Sequence, residues 1–399
     1  MKCNWLSGGF CGFLALVSMV SAARAETRTT LDVSAGMREA TNPYLVSGKS
    51  TDSTVASFEA KPSIEVKDDV STFTFNGAAR LDQYFRRYGT DFSGRADVAY
   101  DRHISELTHV RISGGFASTM GGSRDLVQSV IGTSTGPVIN PNSDVTAAGS
   151  QFRQYDYGAD LRLFSNLSSH DIVELGGAVH LYDAGSSLAQ PYREFIADAT
   201  YRRAFSELLT VGPKVSYTNI DYRNLPAAGG EVITPALAAT YKFSETLSLS
   251  ASAGASIASL RQPTLGLIHT TNFVGDLSLC DTRENSETCL RVSRSVGATS
   301  AGGVMIGTSV DAQQSWKLSD RDSLKLSASY ARSDQQVASV AIPGVQGDQI
   351  ALASATYTRQ LSERLFLDLS PQFEKLWGQV IPHDANFAVL ASFRYRFGQ

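Results

Sequence analysis

Apolar and polar residues alternate along most of the chain after residue 26. In one stretch Phe73, Phe75 and Leu81 share one face, while Arg80 and Asp82 share the other. Successive side chains of a β-strand point to opposite faces, so this pattern predicts strands with one apolar and one polar face. About sixteen such strands are predicted, at 31–37, 55–67, 73–86, 92–101, 109–116, 154–163, 173–181, 195–201, 209–217, 233–243, 247–257, 304–316, 324–330, 351–357, 365–373 and 387–397.

A recurring phrase between these runs predicts a repeated tight turn. It reads AYDRHISEL at 99–107, TYRRAFSEL at 200–208 and TYTRQLSER at 356–364, and shorter versions occur elsewhere. An aromatic or other bulky apolar residue precedes the turn, as in the girdle of a transmembrane β-barrel. A soluble all-β protein with similar turns is the alternative. The marker serines are Ser105, Ser165, Ser206, Ser244, Ser319 and Ser362.

The spacing of these serines fits pairs of antiparallel strands. Three intervals are near forty residues, which accommodates two strands, one turn and one outer loop. The two longer intervals contain polar stretches near 119–150 and 259–294 where the alternation stops. We expect both to be long loops that lie outside the barrel or fold into it.

The first 25 residues have the features of a secretory signal peptide. Lys2 provides a positive start, residues 8–20 form a short apolar run, and Ala23-Arg24-Ala25 resembles a cleavage site. An N-terminal membrane anchor is the alternative. The predicted organisation is therefore a signal peptide at 1–25 and a barrel at 26–399.

Composition excludes two classes of protein. No other long apolar stretch follows the signal, and the mean hydropathy is slightly negative, which excludes a helical membrane protein but suits alternating strands. Without Lys2 and Arg24 the chain has 33 Lys and Arg against 39 Asp and Glu, so no nucleic-acid partner is expected.

Two cysteines remain after removal of the signal, and they lie close together in the 259–294 stretch. Cys280 and Cys289 are predicted to form a disulfide in an oxidising compartment. A metal site would need further ligands, and only His269 lies in the same stretch. No metal and no cofactor are predicted.

One segment resembles a known family. RLDQYFRRY at 80–88, followed by DFSGRADVAY at 91–100, resembles the bacterial outer-membrane family called putative beta-barrel porin 2. The resemblance implies an outer-membrane barrel with a transport role, whose relatives are often associated with exopolysaccharide secretion. It implies no catalytic motif.

The last strand resembles the assembly signal of outer-membrane barrels, through Phe393, Tyr395 and Phe397. An ordinary edge strand is the alternative. Prolines oppose the scheme, because proline cannot donate to a ladder of backbone hydrogen bonds. We expect a bulge or a missing bond at four places within the predicted strands: Pro62, Pro213, Pro235 and Pro371.

The polar face of the strands is predicted to line a water-filled lumen, because outward positions must tolerate lipid. Its charges would form a constriction that selects solutes by size and charge, or would pair across strands and only keep the wall wetted. The predicted lumen-lining residues are Arg80, Asp82, Arg86, Arg95, Asp97, Asp101, His109, Arg111, Asp156, Asp160, Arg162, Asp198 and Arg202.

The predicted function is therefore a channel in the cell outer membrane that passes hydrophilic solutes or polymer. An exit channel for exopolysaccharide, a barrel enzyme and a structural or adhesive barrel are the alternatives. Enzyme activity is not expected, because no histidine lies in a known nucleophile or metal motif, and His180 is interpreted as a wall residue. Expected partners are outer-membrane lipid, the barrel assembly machinery and, for polymer export, periplasmic polysaccharide-export proteins.

Overall fold

The structure is a computed structural model, and it describes most of the chain after residue 25. The described residues are 26–46, 51–120, 152–186, 189–225, 229–262, 266–300, 302–338, 347–378 and 384–398. The predicted signal peptide and most of the predicted loop at 119–150 lie outside these ranges. Within them, no helix is long and apolar enough to cross a membrane.

Within these described ranges, eighteen antiparallel strands form one sheet that closes on itself. Each strand pairs with its neighbours in the sequence, and β1 pairs with β18, so the barrel has no free edge. The strands are β1 Glu26–Ala40, β2 Ser53–Lys67, β3 Ser71–Tyr84, β4 Thr90–His103, β5 Thr108–Thr119, β6 Gln154–Asn166, β7 Asp171–Ala184, β8 Tyr192–Ala204, β9 Leu209–Tyr222, β10 Gly230–Lys242, β11 Leu247–Gln262, β12 Gly266–Arg283, β13 Ser286–Ala298, β14 Gly303–Lys317, β15 Asp322–Ala338, β16 Gly347–Gln360, β17 Leu365–Gly378 and β18 Asn386–Gly398.

The up-and-down barrel was predicted, but the count of about sixteen strands was wrong. The segment 259–294, predicted to be a loop, contains β12 and most of β13. Leu267 and Phe273 of β12 do point outward, at 57% and 67% exposure. On the same face, His269 and Thr271 lie between Leu267 and Phe273, and Gly275 follows Phe273. The outward face therefore has too few apolar residues for the alternation to be recognised.

Between the described strands, eight connections at one end of the barrel have two to four residues each, and we call this the short-turn end. Six share one construction, in which the serine hydroxyl accepts backbone N–H groups further along the turn. In one of them, Ser206 Oγ accepts from Leu208 N at 3.3 Å and Leu209 N at 3.1 Å. The marker predicted at Ser165 was displaced, since Ser165 lies in β6 and the turn serine is Ser168.

A different carboxylate-based turn joins β2 to β3. Asp68 accepts hydrogen bonds from Val70 N at 2.9 Å, Ser71 Oγ at 2.9 Å and Ser71 N at 2.5 Å. These donors, the Val70 N–H first, hold the pKa of Asp68 below its usual value of 3.8.

The four strand prolines interrupt the ladder without shifting its register. The pairing of β2 with β3 lapses beside Pro62 and resumes at Ser63 with the same alignment. Comparable lapses lie beside Pro213, Pro235 and Pro371. Each proline therefore removes a local hydrogen bond, and none causes a bulge. Of the two expected outcomes, the missing bond is confirmed.

Candidate functional site in the barrel lumen

The two faces of the barrel wall differ sharply in chemistry. On β4, Phe92 points outward and is 56% exposed, while Asp97 points inward and is 7% exposed. On β6, Leu161 points outward, and Arg162 points inward and contacts other charged side chains. The interior of the barrel is therefore a charged surface enclosed by an apolar exterior.

The structure places all but one of the predicted lumen-lining residues on the inward face. Their alternation with the exposed apolar residues fixes this placement. The inward residues are Arg80, Asp82, Arg95, Asp97, Asp101, His109, Arg111, Asp156, Asp160, Arg162, Asp198 and Arg202.

Arg86 was wrongly placed in the lumen. Strand β3 ends at Tyr84, and Arg87 and Tyr88 take positive φ values of 64° and 66°, which turn the chain. Arg86 is 72% exposed at the rim, where its Nη1 lies 2.6 Å from Asp52 Oδ2. The polar alternation continues past the end of the strand, so the sequence pattern could not mark this boundary.

One charged cluster crosses three strands near the short-turn end. Arg162 on β6 contacts Glu174 Oε1 at 2.8 Å, Asp160 Oδ1 at 3.2 Å and Asp198 Oδ2 at 3.6 Å. Gly176 lies between Arg162 and Asp198 in the paired row, and a Cβ there would lie 2.8 Å from Asp198 Cγ. The absence of a side chain at Gly176 lets the Asp198 carboxylate lean toward Arg162.

A second charged cluster lies at the seam where the barrel closes. Asp32 of β1 accepts hydrogen bonds from Arg396 Nε at 2.8 Å, Arg396 Nη2 at 2.9 Å and Arg394 Nη1 at 3.1 Å. Arg394 Nε also donates to Asp368 Oδ2 on β17 at 3.0 Å. The cluster links the last two strands to the first by charge-assisted bonds.

At the other end, which we call the long-loop end, the connection between β13 and β14 folds into the lumen. The Tyr222 hydroxyl on β9 lies 2.9 Å from Thr299 O and 2.5 Å from Gly303 O. Ala298 N donates to Glu194 Oε1 on β8 at 2.9 Å. The tip packs on an apolar cluster of Tyr182, Ala189, Tyr192, Ile220, Tyr222, Val232, Ala258, Leu260, Ala298 and Val304.

The segment after β1 also folds inward. Asn42 N donates to Asn386 Oδ1 at 2.8 Å, and Asn42 Nδ2 donates to Val46 O at 2.8 Å. Leu45 follows in a left-handed conformation with φ of 51° and is completely buried, and Tyr44 packs on Tyr84 at 5.6 Å between ring centroids. Together with the β13–β14 tip, this segment narrows the long-loop end of the lumen.

His180 takes part in wall packing beneath the β13–β14 tip. Its Nε2 lies 3.3 Å from Asp156 Oδ1, and its Nδ1 lies 3.5 Å from Glu194 Oε2. Tyr192 packs edge-on against its ring. The geometry is that of an imidazole held between two carboxylates.

The remaining predicted site residues lie apart from these clusters. Cys280 and Cys289 face each other on β12 and β13 and form a disulfide on the inward side near the short-turn end. Phe393, Tyr395 and Phe397 point outward on β18. In the described part of the chain, no group of three His, Cys, Asp or Glu residues is arranged to hold a metal ion.

Comparison with known proteins adds distant structural likenesses. No protein-family model matches the sequence, and no curated protein matches it. The FrpB iron transporter from Neisseria meningitidis has 6% identity and a TM-score of 0.46, over 93% of this chain and 83% of that one. OccK2 (OpdF) from Pseudomonas aeruginosa, in complex with glucuronate, has 12% identity and a TM-score of 0.45, over 94% and 98%. OccAB1 from Acinetobacter baumannii has 12% identity and a TM-score of 0.43, over 93% and 97%. Such low values do not decide the family or function of this chain.

The inward-folded segments are the part of the site that sequence reasoning missed. A signal for them was present, because Tyr84, Tyr182 and Tyr222 occupy polar-face positions near the long-loop ends of their strands. A large aromatic residue on a wetted face needs a packing partner. The β13–β14 tip and the segment after β1 supply those partners.

Proposed function

We propose that the protein is an outer-membrane β-barrel channel that passes small hydrophilic solutes through a lumen of mixed charge. The observation that carries this proposal is the alternation around a closed cylinder, in which outward side chains are mainly apolar and inward side chains include the charged clusters. In a bilayer, all backbone polar groups must be paired within the protein, and a closed barrel achieves this.

The exterior supports the membrane location. Leu237 and Phe273 lie on the outward face and are 63% and 67% exposed, and exposed apolar residues recur on every side of the barrel. An apolar surface this extensive is unfavourable in water and favourable in lipid. By analogy with outer-membrane barrels, we assign the short-turn end to the periplasm and the long-loop end to the cell exterior.

The interior favours small solutes over a polymer. Tyr222 and Glu194 hold the β13–β14 tip inside the lumen, and Asn42 holds the segment after β1. Both segments narrow the outer end, whereas a polysaccharide exit channel needs a wide passage. Membership of the putative beta-barrel porin 2 family stays a hypothesis.

Conductance in planar bilayers tests the proposal. The purified protein should migrate differently on a gel before and after heating, and should produce discrete current steps in KCl. Arg202→Gln removes an inward charge beside Glu174, so it should move the reversal potential in a KCl gradient toward cation selectivity. Arg193→Gln, at an exposed outer position, should leave it unchanged. A heat-modifiable protein with no conductance would contradict the channel.

Assembly is proposed to use the end of the last strand. Phe393, Tyr395 and Phe397 all point outward on β18, with Tyr395 and Phe397 packed at 4.6 Å between ring centroids. Because β18 must find β1 to close the barrel, a signal on this strand would be presented until closure. Replacing all three residues with serine should reduce the amount of folded barrel in the outer membrane.

A further inference from the structure

A recurring outward group lies at the short-turn end, on two separate pairs of neighbouring strands. On β7 and β8, Asp171 Oδ1 accepts from the Tyr201 hydroxyl at 2.5 Å, and Asp171 Oδ2 accepts from Ser168 Oγ at 2.7 Å. Arg203 Nη1 lies 3.9 Å from the same Asp171. The group therefore places a guanidinium and a carboxylate side by side.

The same arrangement recurs on β15 and β16. Asp322 Oδ1 accepts from the Tyr357 hydroxyl at 2.5 Å, and Asp322 Oδ2 accepts from Ser319 Oγ at 2.7 Å. Arg359 Nε lies 4.0 Å from Asp322 Oδ1. The register is also repeated, because each arginine is directly opposite its aspartate. The recurring sequence phrase thus encodes a side-chain group in addition to a turn.

In each group the arginine and the aspartate form an ion pair at its outer distance limit, without a direct hydrogen bond. Separations of 3.9 and 4.0 Å exceed the length of an N–H···O hydrogen bond. Tyrosine and serine hydroxyls fix the carboxylates, so the aspartates keep their position without the arginines. Arg203 and Arg359 are each 58% exposed and keep donors for a further acceptor.

The surroundings identify a boundary between lipid and water. Leu175 on β7 and Leu326 on β15 lie on the outward face, four residues from Asp171 and Asp322 toward the middle of the barrel, and are 46% and 36% exposed. Tyrosine and arginine above such apolar residues are typical of the interfacial region of a membrane. A ligand that meets both charges there carries a negative and a positive group on an apolar body.

We propose that each of these two groups binds the headgroup of one ethanolamine phospholipid. The arginine donates to the phosphate, the aspartate accepts from the ammonium, and the acyl chains lie along the outward face of the strands. The proposal rests on the proposed function, because it requires the barrel to be embedded in a membrane.

The chain contains an incomplete copy of the group for comparison. Tyr100 and Arg102 repeat the phrase on β4, but the residue opposite Arg102 is Ser71. The acid near Arg102 is instead Asp68 of the β2–β3 turn, which Val70 and Ser71 hold, so this copy presents its carboxylate from a different position. We expect two ethanolamine phospholipids per barrel at these sites.

Native mass spectrometry of the detergent-purified full barrel tests the proposal. Dioleoyl-phosphatidylethanolamine and dioleoyl-phosphatidylglycerol are added separately at equal concentration. The wild type should retain more of the ethanolamine lipid, up to two molecules. Arg203→Gln with Arg359→Gln should reduce its retention about fivefold, corresponding to a weakened charge-assisted contact at each site. Arg203→Lys with Arg359→Lys should restore part of it, since the charge returns without the planar fork.

A matched control lies at the opposite rim. Arg193 and Arg223 are 63% and 78% exposed and lie 2.8 and 3.9 Å from Asp221 and Asp183, at the end of the barrel away from the recurring group. Arg193→Gln with Arg223→Gln should retain the ethanolamine lipid as the wild type does. Asp171→Asn with Asp322→Asn should remove the preference for ethanolamine over glycerol headgroups.

Three results would overturn the lipid sites. One is equal retention of the two lipids by the wild type; another is unchanged retention in the Arg203→Gln, Arg359→Gln variant; the third is an equal loss in the control variant. Heat-modifiable migration and conductance are measured on the same preparations. A wild type that conducts without retaining the lipid refutes the lipid sites alone, whereas one that retains it without conducting refutes the channel alone.

Discussion

The charged cluster at the seam gives the most quantitative prediction. Asp32→Asn keeps the shape of the side chain but turns one carboxylate oxygen into a donor, which then faces the donors of Arg394 or Arg396. At least one of the three charge-assisted hydrogen bonds is lost, and the remaining acceptor is weaker. Arg394 keeps Asp368, so the loss falls mainly on Arg396.

The expected cost is about 2 kcal/mol in the free energy of unfolding. A hydrogen bond to a charged group contributes about 1.5–3 kcal/mol when it is buried. Asp32 and Arg394 are 16% and 20% exposed, but Arg396 is 43% exposed. Water therefore compensates part of the lost bonds, which places the cost at the lower end of that range.

Urea unfolding in detergent, followed by tryptophan fluorescence and by the heat-modifiable gel shift, measures this cost. Asp276→Asn is the matched control, because Asp276 faces the lumen away from the seam and Ser252 is its hydrogen-bond partner. The control should change stability by less than about 0.5 kcal/mol. Equal effects of the two substitutions would refute the claim that ion pairs stabilise the seam.

Other predictions concern the lumen and the turns. Gly176→Ala should push the Asp198 carboxylate away from Arg162 and change the free energy of unfolding by less than about 1 kcal/mol. It should also shift the reversal potential in a KCl gradient, and an unchanged potential would contradict a role of the Arg162 cluster in ion selectivity. Tyr222→Phe should release the β13–β14 tip and lower the free energy of unfolding by about 1–2 kcal/mol. It should also raise the single-channel conductance, and an unaltered conductance would show that the tip does not narrow the pore. The folded-state pKa of Asp68 is depressed, so the stabilisation that its carboxylate gives the folded protein is present above pH 3.8 and is lost as pH falls through the folded pKa. The difference in unfolding free energy between wild type and Asp68→Asn should therefore vanish in acid. A difference that persists in acid would refute the role of the Asp68 carboxylate in the turn.

The fold was largely predictable because a barrel wall imposes one rule on every strand. Where the outward face carries consecutive apolar residues, as on β3, the strand could be predicted directly. Strand β12 was not predicted because Thr271 and Gly275 occupy two of its outward positions. These residues belong to the sheet through backbone hydrogen bonds and give no apolar signal in the sequence. A strand that is paired on both sides can carry residues such as Thr and Gly at its outward positions, because its place in the sheet depends on its neighbours as well as on its own propensity.

The candidate site was predictable only as far as it depends on which face of a strand each residue occupies. Arg162 and Asp198 could be assigned to the lumen, but their contact depends on Gly176 in the strand between them. The inward folding of the β13–β14 tip depends on Tyr222, which is distant in sequence from Thr299. Alternation indicates which face a residue occupies and carries no information about which side chains on that face contact each other.

Accessibility of neighbouring residues on one strand tests the central claim most directly. In a background with Cys280→Ser and Cys289→Ser, Asp160→Cys and Leu161→Cys are introduced separately on β6. In lipid vesicles, a small water-soluble thiol reagent should modify the cysteine at 160, and a lipid-confined fluorescence quencher should reach a probe at 161. Equal modification of both positions by the aqueous reagent, or quenching at 160 and not at 161, would contradict a barrel with a polar lumen and a lipid-facing exterior.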